Sequence, residues 1–288
     1  MTAQTQLPQT PLPSHGSPRR ASATLVVGVV LLALCAAAAL TSLLWLPFAL
    51  DDTTGGRLEP PNPGHLLGTD RFGRDLLSQV LVGVRIAFMV GIGSALIATV
   101  IGVLLGLTVA WAPSWVDDTA ATLLDILLAF PTLLLAMIVG ATQGRSTATV
   151  VVSIGLAQSA YVARLSRILA RRLRAQRFVT AAATSGSGRL AITIRHLLPN
   201  MLPTLAVVVA VSFGIAVLAE AGLSYLGLGV PPPSASLGRL MQEAQSTVLT
   251  APMGAIAPGV VVVLLVVGAN FLADGLRDDA DPASGGLR

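Results

Sequence analysis

Six apolar stretches, at 21–50, 81–111, 119–142, 147–169, 202–223 and 254–274, punctuate the chain, and most polar and charged positions fall between them. A helix needs about 20 predominantly apolar residues to cross the hydrocarbon core of a bilayer. Inside that core every backbone N–H and C=O must be paired within the spanning structure, which leaves helices and closed barrels as the viable forms. The six lengths predict six transmembrane helices and an all-α polytopic membrane protein. The run at 21–50 exceeds the apolar core of a secretory signal, about 7–15 residues, and reads as a retained first transmembrane helix. Residues 1–20, rich in Pro, Gln, Ser and Thr, predict a disordered tail. Residues 51–80 are a polar, proline-rich connection. The remaining spans occupy 81–275, with a long polar loop at 170–200, and 276–288 form a second tail.

Six spans place both termini on one side of the membrane, and arginine chooses the side, because inner loops carry the positive excess. With the N-terminus inside, the inner segments hold Arg19, Arg20, eight arginines from Arg164 to Arg195, Arg277 and Arg288. The outer segments hold Arg57, Arg71, Arg74, Arg85, Arg145 and Arg239. The pattern predicts cytoplasmic termini and an extracytoplasmic 51–80, and it rests on the block at 164–195.

Composition agrees: 53% of the residues are hydrophobic and 11% charged, against about 25% charged in soluble domains. All 18 basic residues are arginine. Without lysine there is no Walker A phosphate loop and no Schiff-base catalyst. The single cysteine, Cys35, excludes a disulfide framework within the chain, and Leu34 before it is too large for a lipoprotein site. A net charge of +4 does not indicate nucleic acid: the arginines lie between apolar spans, and aromatic stacking platforms are missing. His15, His65 and His196 are too scattered for a metal site. No metalloprotease motif, nucleophile elbow or paired carboxylates stand out, so no enzyme and no cofactor are expected.

Several local features carry expectations. Gly102-Val-Leu-Leu-Gly106 is a small-xxx-small pattern that lets membrane helices approach closely. Phe130-Pro131 should kink the third helix. Asp125 and Glu220 are ionisable residues within apolar spans, which is costly and often marks a pathway. Asp125, near the inner start of the third helix, also suits the helix dipole. Glu220, near the outer end of the fifth, could instead reach interfacial water. Gln158 and Asn270 read as interhelical hydrogen-bond partners. Asp70 with Arg74, and Arg71 with Asp75, are spaced to pair on a helix, each worth about 0.3–0.5 kcal/mol when exposed; their main expected work is to stabilise a surface turn.

The most informative segment is FVTAAATSGSGRLAITIRHLLPN, residues 178–200, a polar island with flanking arginines. Ala181, Ala182 and Gly186 are small and would admit a partner surface. Leu190, Ile194, Leu197 and Leu198 fall at helical spacing and predict one apolar face. Pro199 should mark the turn into the next span. A generic amphipathic loop lying on anionic lipid is the competing account.

This island resembles the cytoplasmic coupling loop of bacterial ABC importer permeases. Their pattern is EAA, three residues, Gly, nine residues, an apolar residue, any residue, and Leu-Pro. Thr180, Ala181 and Ala182 take the EAA positions, Gly186 the glycine, His196 the apolar position, and Leu198-Pro199 the ending. Thr180 stands where the family carries Glu, so one charged contact or capping carboxylate is absent. HLLGTDRFGRDLLSQVLVGVRIAFMVG at 65–91, AEAGLSYLGLGVPPPSASLG at 219–238 and FLADGLRDDADP at 271–282 are similar to other segments of the dipeptide, oligopeptide and nickel branch.

The resemblance implies a type I ABC importer permease fold over 81–275 and inward passage of a solute across a bacterial plasma membrane. The implied partners are a homologous permease subunit, ABC ATPase subunits that bind the ATP, an extracytoplasmic substrate-binding protein, and membrane lipid. A peptide is the implied cargo, with nickel or a metal chelate as the alternative. From other classes, a proton-coupled secondary transporter using Asp125 or Glu220 and a membrane-embedded enzyme remain open.

Overall fold

The computed structural model of the protein describes residues 22–144 and 146–280. The expected disordered tail at 1–20 lies outside these residues, as do Arg145 and positions 281–288 of the second tail. Five helices are long and apolar enough to span a bilayer, and a sixth span forms if one bent pair is counted as a unit. In chain order the long helices are α1 (Ala23–Leu44), α2 (Leu76–Ala110), α5 (Thr147–Arg174), α8 (Leu198–Tyr225) and α10 (Met253–Ala280). The bent pair is α3 (Ser114–Ala129) and α4 (Thr132–Gln143). Three short helices complete the set: α6 (Arg177–Thr184), α7 (Arg189–Ile192) and α9 (Leu237–Ala244).

Where the third span was expected to kink, it breaks. The two helices meet at 89° across Phe130-Pro131. Both residues are extended, at ψ 133° and 129°. Proline disfavours the helical region for the residue before it, so Phe130 leaves the helix and α4 restarts in a new direction.

Close approach between α2 and α5 organises the bundle. A Cβ added at Gly102 would lie 2.5 Å from Cβ of Val162, and one at Gly106 would lie 2.6 Å from the Ala163 carbonyl oxygen. The glycines therefore let two backbones meet, as expected from their spacing. Serine adds a directional tie, with Ser94 Oγ donating to the Val151 carbonyl at 2.9 Å. One apolar core joins α1, α2, α8, α9 and α10 around Phe213 and Leu265; a second joins α2, α4, α5 and α8 around Ile154 and Ala216. The outer surface stays apolar, with Val30, Leu104, Leu218 and Val263 at least half exposed, as expected of helices solvated by lipid tails.

The second span begins at Leu76, earlier than the polar boundary at residue 80 predicts. Asp75 caps α2, its carboxylate accepting from the Ser78 N–H at 2.8 Å, and also binds His65 Nδ1 at 2.9 Å. The expected Arg71–Asp75 pair is consequently not made. Asp70 and Arg74 do pair, at 2.6 Å, but across a turn in which Asp70 also accepts the N–H groups of Phe72 and Arg74. Arg74 continues to Glu243 on α9 at 2.9 Å, which fastens the 51–75 segment to the loop before α10.

Gln158 is buried and its Nε2 finds no partner, while Asn270 is exposed on α10. Neither forms the interhelical bond expected from sequence. Residues Ser94 and Gly102 already bring α2 onto α5 there, leaving the Gln158 amide enclosed by packing rather than by acceptors.

Candidate functional site

The polar island folds as α6, a short turn and α7, continuing through a π-helical segment (Thr193–Leu197) into α8. It sits at the end of the bundle where α2 finishes, α3 begins and α5 finishes. Its core is apolar: Leu107 and Ala110 of α2, Ala170 of α5, Val179 of α6, Ile192 of α7, and Leu197, Met201 and Leu205 pack together. Val179 is buried and Ala182 half-buried, whereas Thr180, Ala181, Ala183 and Thr184 face outward. One side of α6 is thus anchored and the other is bare.

Gly186 has a conformational role. It adopts φ +85°, and a Cβ there would meet nothing within 4 Å. The N–H of Ser187 bonds the Ala182 carbonyl and the N–H of Gly186 bonds the Ala183 carbonyl, each at 3.1 Å. This is the Schellman arrangement, in which a left-handed residue just past the helix end satisfies its orphan carbonyls. Small size was expected to admit a partner at this position; the observed reason for glycine is the backbone angle.

Of the apolar face expected at Leu190, Ile194, Leu197 and Leu198, only Leu197 is buried and Leu198 half-buried. Leu190 and Ile194 are 72% and 55% exposed. Ile192, Leu197, Met201 and Leu205 are buried, with spacings of five, four and four. The five-residue step crosses the π segment, where one extra residue per turn shifts the register. Pro199 does not mark a turn either, because the helix runs unbroken from Arg189 to Tyr225. Proline at 199 cannot donate to the preceding turn. The π turn accommodates it, with the Leu198 N–H reaching back to the Thr193 carbonyl and Asn200 Nδ2 donating to the His196 carbonyl at 2.6 Å.

No carboxylate caps α6, in line with Thr180 standing where the family carries Glu. The α6 N-terminus has no acidic residue in its first turn and no side-chain cap, and Thr180 Oγ1 turns back toward the Gln176 carbonyl at 3.5 Å. His196 is half-buried, its ring 6.2 Å from that of Phe178.

Buttressing comes from residues the sequence did not flag. Trp111, just past α2, donates from Nε1 to Thr193 Oγ1 at 2.9 Å. The Arg174 guanidinium lies over the Trp111 ring, 4.0 Å from its centroid, and donates to the Ala110 carbonyl. Asp117, in the first turn of α3, is 5% exposed and paired with both Arg167 and Arg171 of α5. The helix-dipole role expected of Asp125 thus belongs by position to Asp117. Asp125 lies in the last turns of α3, half exposed, and pairs with Arg164 at 3.2 Å.

Glu220, the other intramembrane carboxylate, is 1% exposed. Ser224 Oγ donates to it at 2.7 Å and accepts from the N–H of Val230, in the loop before α9, at 3.4 Å. Through Ser224 the carboxyl group knots α8 to the loop before α9, and it has no face on interfacial water. Among the described residues, no group of three His, Cys, Asp or Glu side chains could hold a metal ion.

The long apolar helices and the apolar outer surface define a polytopic membrane protein. The chain belongs to the family described as the binding-protein-dependent transport system inner membrane component, which matches residues 98–283. It is 36% identical over 261 residues to a putative peptide transport system permease protein of Brucella suis, covering 89% of this chain and 86% of that one. It is 37% identical to the glutathione transport system permease protein GsiD of Pectobacterium atrosepticum, over 78% of this chain and 74% of the relative. Identity to the dipeptide transport system permease protein DppC of Alkalihalophilus pseudofirmus is 34%, with the same coverage.

Proposed function

We propose that this chain is the permease subunit of an ABC importer that carries peptides inward across the bacterial inner membrane. The observation that carries this reading is the conjunction of an anchored, outward-facing α6 with relatives named for peptide, dipeptide and glutathione transport. Nickel is the weaker reading beside those names. Thr180, Ala181, Ala182 and Gly186 form the contact for an ATPase subunit, which binds the ATP. Leu198 and Pro199 connect that contact to α8. A second, homologous permease completes the path, and an extracytoplasmic protein delivers the cargo. Both termini and α6 are cytoplasmic in this reading, and the 51–75 segment and α9 are extracytoplasmic.

The physical logic is that of a lever. Moving a two-state equilibrium from 1:99 to 99:1 requires about 5.5 kcal/mol of differential interaction. The chain has no lysine for a phosphate loop, so the motor subunits supply that energy and α6 receives it. Val179 and Ala182 pass the displacement to the α2, α5 and α8 ends through the shared apolar cluster.

The test is uptake of labelled dialanine by proteoliposomes holding the full complex, with cysteine at Ala183 for crosslinking to the ATPase. ATP-dependent uptake and an Ala183 crosslink support the reading. A working complex in which α6 crosslinks to nothing would sink the coupling assignment.

A further inference from the structure

The block of arginines at 164–195 is not one feature. Arg164, Arg167, Arg171 and Arg174 recur every three or four residues and share one face of α5, and each engages another element. Arg164 meets Asp125, and Arg167 and Arg171 converge on Asp117, both carboxylates belonging to α3. Arg174 takes the last carbonyl of α2 and stacks on Trp111, whose other bond reaches Thr193 beside α7. Arg172 and Arg177, off this stripe, are exposed.

We infer that the α5 arginine stripe and Asp117 form a strut that makes α3 and its right-angled continuation α4 move with the coupling segment. α6 follows α5 after a two-residue break, at Ala175 and Gln176, so any displacement of α6 acts first on the end of α5. Apart from the stripe, α3 has little hold on the bundle. Asp117 is its one buried residue, and the apolar cores described above contain no α3 side chain. Apolar packing alone would let α3 lag behind, because lipid tails solvate its side chains as well as neighbouring helices do. The carboxylate of Asp117 removes that freedom. Buried and held by two guanidiniums, it cannot separate from α5 without breaking both ion pairs. Asp117 is therefore a positioning residue: it touches neither cargo nor nucleotide, and it decides which helices share the push.

This inference rests on α6 being the point where the ATPase acts, and the experiment separates the two. The full complex with its binding protein is reconstituted, and ATP hydrolysis and labelled dialanine uptake are measured in the same vesicles. The variants are Asp117→Asn, Asp117→Glu and Arg171→Gln. The last is included because the Arg171 side chain is 55% exposed and its loss leaves Arg167 on Asp117, so folding is little affected. Asp117→Asn is expected to assemble and hydrolyse ATP within about twofold of the parent, while dialanine moved per ATP falls at least fivefold, the lower range of allosteric coupling. Arg171→Gln should shift the ratio in the same direction, and Asp117→Glu should recover most of it. An unchanged ratio in both Asp117→Asn and Arg171→Gln overturns the strut, as does a parallel loss of hydrolysis, uptake and assembled complex. Loss of the Ala183 crosslink in the parent complex would instead sink the coupling reading itself.

Discussion

Trp111 and Thr193 lie 82 positions apart in the chain and meet at 2.9 Å, indole N–H to hydroxyl, where α2 ends and the π segment begins. The Thr193 hydroxyl in turn donates to the Arg189 carbonyl at 2.9 Å, and Arg174 covers the indole ring. The contact joins the end of one span to the root of another beside the candidate coupling helix. Trp111→Phe removes the hydrogen bond and keeps a ring for Arg174. We expect a stability loss of about 0.5–1.5 kcal/mol, read as a small drop in the melting midpoint of the detergent-solubilised complex. Trp111→Ala also deletes its packing against the apolar cluster around Leu197 and Met201 and should lower the midpoint clearly further.

Gly186 is required for its angle. An L-residue in the left-handed region costs roughly 1–2 kcal/mol, and asparagine tolerates that region better than other non-glycine residues. Uptake at matched membrane levels should fall in the order glycine, asparagine, alanine, valine. Full activity of Gly186→Val would mean the α6 cap plays no part in coupling.

Glu220 separates a structural knot from a transport pathway. Glu220→Gln keeps a group able to accept from Ser224 and should retain uptake and thermal stability. Glu220→Ala leaves a cavity and the Ser224 hydroxyl without its acceptor, for a loss of about 2–4 kcal/mol. A well-folded Glu220→Gln complex without uptake would instead place the carboxylate's charge in the transport cycle.

Valine at Gly102 or Gly106 would drive a side chain into the backbone of α5. Overpacking of this kind costs about 1–3 kcal/mol, and the backbone atoms that a Cβ would strike cannot turn aside as a side-chain tip could. Both variants should reach the membrane at lower level and melt earlier. Normal levels of both would show that α2 and α5 can part without penalty.

Much of the molecule was legible along the chain. Lipid tolerates only segments whose backbone is internally paired, so long apolar runs were enough to locate α1, α2, α5, α8 and α10. Gly102 and Gly106 announced that another helix packs closely on this span, and the structure identifies it as α5. The pairing of charges was less legible. Asp70 and Arg74 have helical spacing, but their charges read mainly as a stabilised surface turn, and a turn is what they form: Asp70 binds two backbone N–H groups that a helix would have used elsewhere. Asp125 drew notice for its position in an apolar run, whereas Asp117 went unremarked beside Asp118 in a polar stretch. The three- and four-residue spacing of Arg164, Arg167, Arg171 and Arg174 was the available signal, hidden by reading the whole block as a marker of the inner side.

By itself, then, the order of residues determined the order of the long apolar segments, the membrane as their solvent, and the place of the polar island at 178–200. All of these follow from local composition and from short-range backbone geometry. Only the tertiary structure decided which face of the 189–205 segment is buried, because one π turn shifts the register by a residue. Only it turned a proline kink into a right angle. Only it chose which carboxylate each arginine holds, because partners on different helices are selected by how the spans pack, and no spacing along the chain encodes that.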